Sequence, residues 1–146
     1  DYPTLEEEKQ IVRAHVKSSF VQPTPVIDTA RIIKARELVK QVYVDERIEQ
    51  YVTDLVFATR VPEKYGLSKI KDYIAFSAGP RASINLALAA RACAFIKRRG
   101  YVVPEDVREV AADVLRHRIG LSYEAEAANV KAEDIIRELI NKVEVP

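Results

Sequence analysis

A mainly α-helical bundle with two or three very short strand segments is the fold class this sequence predicts. Apolar residues recur at three- and four-residue spacing through most of the chain. Prolines fall either at breaks or where a helix would begin. Only a few short stretches, 73–77, 101–103 and 119–122, read as extended.

The elements follow in order. Thr4 and Glu7 form a capping-box pattern that opens a helix through "LEEEKQIVRAHV", with Leu5, Ile11, Val12, His15 and Val16 near one face. Pro23 and Pro25 break the chain in "FVQPTPVID" (20–28). Asp28 is a candidate N-cap for "TARIIKARELVKQVY", with Ile32, Ala35, Val39 and Val42 in register. Asp45 caps "ERIEQYVTDLVFATR", where Ile48, Tyr51, Val52, Leu55 and Val56 make a stripe. Residues 61–72 are polar and irregular. An Ala-rich helix then runs from about Pro80 to Arg99, with Gly100 as its C-cap signal and Ala82, Ile84, Leu86, Ala87, Leu88, Ala89 and Ala90 as core material. Pro104 opens a helix that buries Val107, Val110, Ala111, Val114 and Leu115. A final helix begins near Lys131 and carries Ile135, Ile136, Leu139 and Ile140. About six helices result, with no internal repeat.

Bulk composition narrows the function classes. The chain's 146 residues suffice for one domain with a core, or a core plus an appendage. Twenty-three Lys and Arg against 22 Asp and Glu give no basic excess for nucleic acid. The lone Cys93 excludes an intramolecular disulfide and a multi-cysteine zinc site, and reads as a small buried hydrophobe. No apolar run approaches a membrane span, and no secretory signal is visible. The chain opens on Asp1-Tyr2-Pro3 and contains no Met, so it is expected to be a piece of a longer protein.

"VYVDE" (42–46) imitates a Walker B strand, but its apolar residues end a helical pattern and Asp45 serves better as an N-cap. Gly66, Gly79, Gly100 and Gly120 are the only glycines, and none starts a phosphate loop. His15 and His117 are isolated, so no metal site is expected. No Ser or Cys stands in a nucleophile motif. "KRR" (97–99) suits the negative end of a helix dipole better than nucleic acid.

Arg81 stands apart. Gly79 and Pro80 place it in the first turn of a helix, where a cation is disfavoured. First-turn N–H groups lack intrahelical partners, and an arginine adds a fixed multi-donor cation. An anion would relieve the clash. A solvated arginine at the helix edge is the plainer alternative. One charge-assisted hydrogen bond contributes about 1.5–3 kcal/mol, and even millimolar affinity needs about 4 kcal/mol. Arg81 alone is therefore not expected to hold a nucleotide, and in the anion-site reading it would complete a site that another domain mostly builds.

The stretches "DYPTLEEEKQIV", "YVTDLVFATR", "SAGPRASINLALAARACAFIKRRGYVVPEDVREVAADVLRHRIGLSYEAEA" and the closing "VEVP" resemble the C-terminal part of a MoxR-family AAA+ ATPase. The likeness covers nearly the whole chain and is most specific from Ser77 to Ala127. Where the family often reads Gly-Ala-Ser-Pro-Arg, this chain reads Phe76-Ser77-Ala78-Gly79-Pro80-Arg81. The Pro-Arg-Ala core is kept while the residues before it are permuted. The resemblance implies a tail of the nucleotide-binding core over residues 1–20 and a helical lid over 21–146. It implies that Arg81 is the sensor-2 arginine, with Pro80 and Gly79 beside it, reaching the γ-phosphate of Mg-ATP bound mainly by a core outside this chain. It further implies a cytoplasmic homo-hexameric ring, and chaperone-like activation of clients such as von Willebrand A-type domain proteins. The chain alone, lacking Walker A and Walker B elements, is expected to be inactive. The rival expectation is a stand-alone helical adaptor or nucleic-acid-binding bundle.

Overall fold

A computed structural model describes residues 2–16 and 22–146. The chain divides into two compact units, residues 1–33 and 34–146. The boundary expected at 20/21 lies outside the described residues.

In the first unit, α1 (Leu5–Val16) begins on a capping box. The Glu7 carboxylate accepts from the Thr4 N–H at 2.7 Å and from the Thr4 hydroxyl at 2.8 Å. Leu5, Ile11, Val12 and Val16 share a face, yet all are exposed. Helix α2 (Thr29–Val39) opens at the boundary, where Asp28 Oδ1 accepts from the Arg31 N–H at 2.7 Å. Its apolar residues, Ile32 included, are at most half-buried.

The second unit is a helical bundle. Helix α3 (Glu46–Ala58) is capped by Asp45, which accepts from the Arg47 N–H at 3.0 Å. Helices α4 (Pro80–Ile96) and α5 (Pro104–Leu115) form an antiparallel hairpin, because their short link lets the chain only reverse. Helix α6 (Tyr123–Ala127) is a single turn and α7 (Ala132–Lys142) closes the bundle. The centre is built from Leu55, Leu86, Val107, Leu115, Ile135 and Leu139, each 1% exposed or less. Ala82, Ala90, Ala94 and Ala111 are fully buried and let α4 and α5 approach closely.

Helix α4 is buried on one face only: Ile84 and Leu88 face solvent, correcting the expectation that both are core. It also ends earlier than expected. The last turn closes with Arg98 in the left-handed region at φ 59°, not at Gly100. The Arg98 N–H donates to Phe95 O and the Arg99 N–H to Ala94 O, both at 2.9 Å, forming a Schellman motif with arginine where glycine is usual.

The extended segments are shorter than predicted. Strand β1 (Ile74–Phe76) pairs antiparallel with β2 (Gly120–Leu121). Segment 101–103 is not a strand; Tyr101 makes one bridge to Tyr43, flanked by bonds from Tyr43 N to Gly100 O and from Val102 N to Tyr43 O. Two 3-10 turns, Pro62–Tyr65 and Ser68–Tyr73, fill the stretch expected to be polar and irregular, and bury Leu67 and Ile70. The single turn of α6 lies outside the helices the sequence predicts. Ser122 caps it, accepting from the Ala125 N–H at 3.2 Å while its own hydroxyl donates to Asp72 O at 2.6 Å.

Candidate functional site

The loop before α4 is anchored at the end of α3. Thr59, 2% exposed, donates its hydroxyl to Val56 O at 2.7 Å and accepts from the Ala78 N–H at 3.1 Å. Arg60 Nε donates to Ala78 O at 2.8 Å, and its guanidinium lies 5.3 Å from the centre of the Phe57 ring. Both polar groups of the buried Ala78 are therefore taken, and the direction in which the chain enters α4 is set. Gly79 follows in extended conformation as the N-cap, and Pro80 occupies the first helical position. Gly79 offers no side chain to cap the helix, so the first turn has no side-chain acceptor.

Arg81 is exposed at this point, and among the described residues it forms no ion pair and no side-chain hydrogen bond. It lines an open depression of about 590 Å³ with Gly79, Pro80, Ala82, His117 and Arg118. The three expected residues thus come together. The hairpin adds two that sequence reading did not assign: the N-terminus of α4 and the end of α5 lie at the same end of an antiparallel pair. Arg118 Nη1 donates to His117 Nε2; a guanidinium can only donate, so the imidazole accepts there. No carboxylate lines the depression. Lys71 is held by Glu63 at 2.5 Å.

The opposite end of the hairpin is a structural staple. Asp106, fully buried in the first turn of α5, accepts from Arg99 Nη1 at 2.7 Å and from Arg99 Nη2, from Lys97 Nζ at 3.2 Å and from the Val103 N–H at 3.1 Å. Burial alone would push its carboxyl up; the bonds from Arg99, Val103 and Lys97 outweigh that and hold it at about 2. Lys97 also pairs with Glu109 at 2.5 Å, and its pKa is raised, mainly by that bond. The "KRR" segment is thus more than a match for the helix dipole: two of its cations fasten α4 to α5. Cys93 sits against the staple, its Sγ 3.6 Å from Asp106 Oδ1, and burial pushes its thiol up. It is buried, as expected.

Asp45 acts as a helix cap, not as a Walker B acid. Among the described residues, no group of three or more His, Cys, Asp or Glu is placed to hold a metal, and no helix is long and apolar enough to cross a membrane. Two arginines lining one depression without a carboxylate suit a phosphate; no glycine-rich loop is present to wrap a triphosphate.

Comparison with known proteins gives a consistent picture. Residues 68–139 match the AAA lid domain family. Chaperone MoxR1 of Mycobacterium tuberculosis is 38% identical over 145 residues, covering 99% of this chain and 38% of that protein. YeaC of Bacillus subtilis, an uncharacterized protein, is 33% identical over 146 residues, covering 99% of this chain and 43% of its own length. The crystal structure of a candidate ATPase from Cytophaga hutchinsonii superposes with a TM-score of 0.88 at 39% identity, over 100% of this chain and 44% of that one. The chain spans less than half the length of each of these proteins.

Proposed function

The chain belongs to the MoxR family of AAA+ proteins and carries its lid domain, and from that premise we propose that it works as the moving lid over ATP held by a nucleotide-binding core. Residues 1–20 are then the tail of that core and 21–146 the lid. Arg81 serves as the sensor-2 arginine, with Pro80 and Gly79 fixing its approach. Closing the lid sets a preorganised cation against charge on the γ-phosphate, which is where electrostatic stabilisation accelerates phosphoryl transfer. Lid rotation then passes the nucleotide state to neighbouring subunits of a ring, a homo-hexamer in this reading. The output is chaperone-like activation of client proteins, von Willebrand A-type domain proteins among them, in the cytoplasm.

The observation that carries the reading is an exposed, unpaired Arg81 at an uncapped helix N-terminus whose entry loop is pinned by buried hydrogen bonds. In the protein joined to its nucleotide-binding core, Arg81→Ala should fold normally and lose most ATP hydrolysis. Near-normal turnover in that variant would remove the assigned role.

A further inference from the structure

We infer that Arg118 is a second phosphate-contacting arginine, which with Arg81 forms a two-armed clamp on the phosphate chain of a nucleoside triphosphate; this rests on the reading of Arg81 just given.

The two residues come from different elements and meet only because α4 and α5 run antiparallel. Their shared depression, about 590 Å³, lies within the usual range of small-molecule sites, about 300–1,000 Å³. The turn carrying Arg118 is held on both sides: Leu115 is fully buried and Ile119 is 5% exposed, and the Arg118 N–H donates to Leu115 O at 2.8 Å. The side chain is aimed by its bond to the His117 ring nitrogen, which takes one of five guanidinium donors and supplies no negative charge. Two positions earlier the treatment differs: Arg116 is paired with Asp113 at 2.5 Å and approaches Glu133 at 3.9 Å. Arg118 has no carboxylate within ion-pair distance among the described residues, nor has Arg81. Two uncompensated cations facing one depression repel one another until an anion enters between them. A planar fork from each side suits the several oxygens of a phosphate chain better than one arginine can.

The test uses inorganic triphosphate titrated onto the 146-residue chain at low salt, followed by amide chemical shifts. Wild type should bind saturably in the millimolar range, with the shifts concentrated at residues 81–82 and 117–119. Arg118→Ala and Arg81→Ala should each weaken binding about tenfold with unchanged melting temperature. Arg118→Lys, which keeps the charge but not the fork, should restore part of the loss. If Arg118→Ala titrates like wild type while Arg81→Ala is weakened, the clamp is wrong and the sensor-2 reading stands. Absence of saturable binding by wild type also overturns the clamp, since the sensor-2 reading expects the core to build most of the site. If wild type binds and neither substitution matters, the anion sits elsewhere and the clamp falls, while the sensor-2 reading is decided by ATP hydrolysis of Arg81→Ala in the protein joined to its core.

Discussion

Asp106→Asn isolates the charge that staples the hairpin. The wild-type carboxyl is fully buried and held at about 2, against 3.8 for an ordinary aspartate. Its folded pKa lies below its unfolded one, so the folded state binds fewer protons between the two values. Stability from this group is therefore complete above about pH 5 and lost as the pH falls toward 2. At about 1.4 kcal/mol per pKa unit, the contribution is about 2 kcal/mol. Asparagine keeps an acceptor for the Val103 N–H but turns an amide toward Arg99 and Lys97, both of which retain enough exposure to be rehydrated. The expected loss is about 2–3 kcal/mol at pH 7, not the larger cost of stranding a fully buried cation. Urea unfolding of both proteins at pH 7, 5, 3 and 2 is the assay. The gap between them should be full at pH 7 and 5 and shrink steadily to well under 1 kcal/mol at pH 2. Taking the difference cancels the other carboxylates whose pKa is lowered, Glu7 and Asp45 among them. A gap that stays constant down to pH 2, or no gap at pH 7, would refute the reasoning.

Two further substitutions probe the frame around the site. Thr59→Val removes the acceptor of the buried Ala78 N–H and should cost about 1–3 kcal/mol, while Thr59→Ser stays close to wild type; equal melting temperatures for the two would contradict the anchoring role. Arg98→Gly relieves a left-handed arginine at φ 59°, and should stabilise the chain by about 0.5–1 kcal/mol after the extra flexibility of unfolded glycine is counted; a lower midpoint in urea would show that the arginine side chain matters more than the backbone.

Local signals were legible and long-range ones were not. The caps at Thr4, Asp28 and Asp45 each lie within three residues of the groups they serve, so their residue types reveal them. The end of α4 is hidden from the sequence for the opposite reason. Gly100 is the residue that usually marks a helix stop, but Lys97 and Arg99 are drawn to Asp106, which ends the helix sooner and forces Arg98 into the left-handed conformation. Proline at 104 and aspartate at 106 were the available signal, an N1 proline followed by an N3 acid. Ile84 and Leu88 read as core because an Ala-rich helix offers little polarity to distinguish its faces, and the structure exposes both. Arg81 drew attention because its conflict is with its own helix. Arg118 gave no such sign: a cation just past the end of α5 is unremarkable by itself, and its meaning appears only when the hairpin returns it to the start of α4.

The hairpin separates two duties in space. The ion pairs that fasten α4 to α5 are gathered at one end, in Asp106 and its cations, while among the described residues the side chains of Arg81 and Arg118 at the other end make no hydrogen bond beyond the one to His117. Selection can therefore revise the charged end, by reversing, deleting or shifting an arginine, without unravelling the bundle.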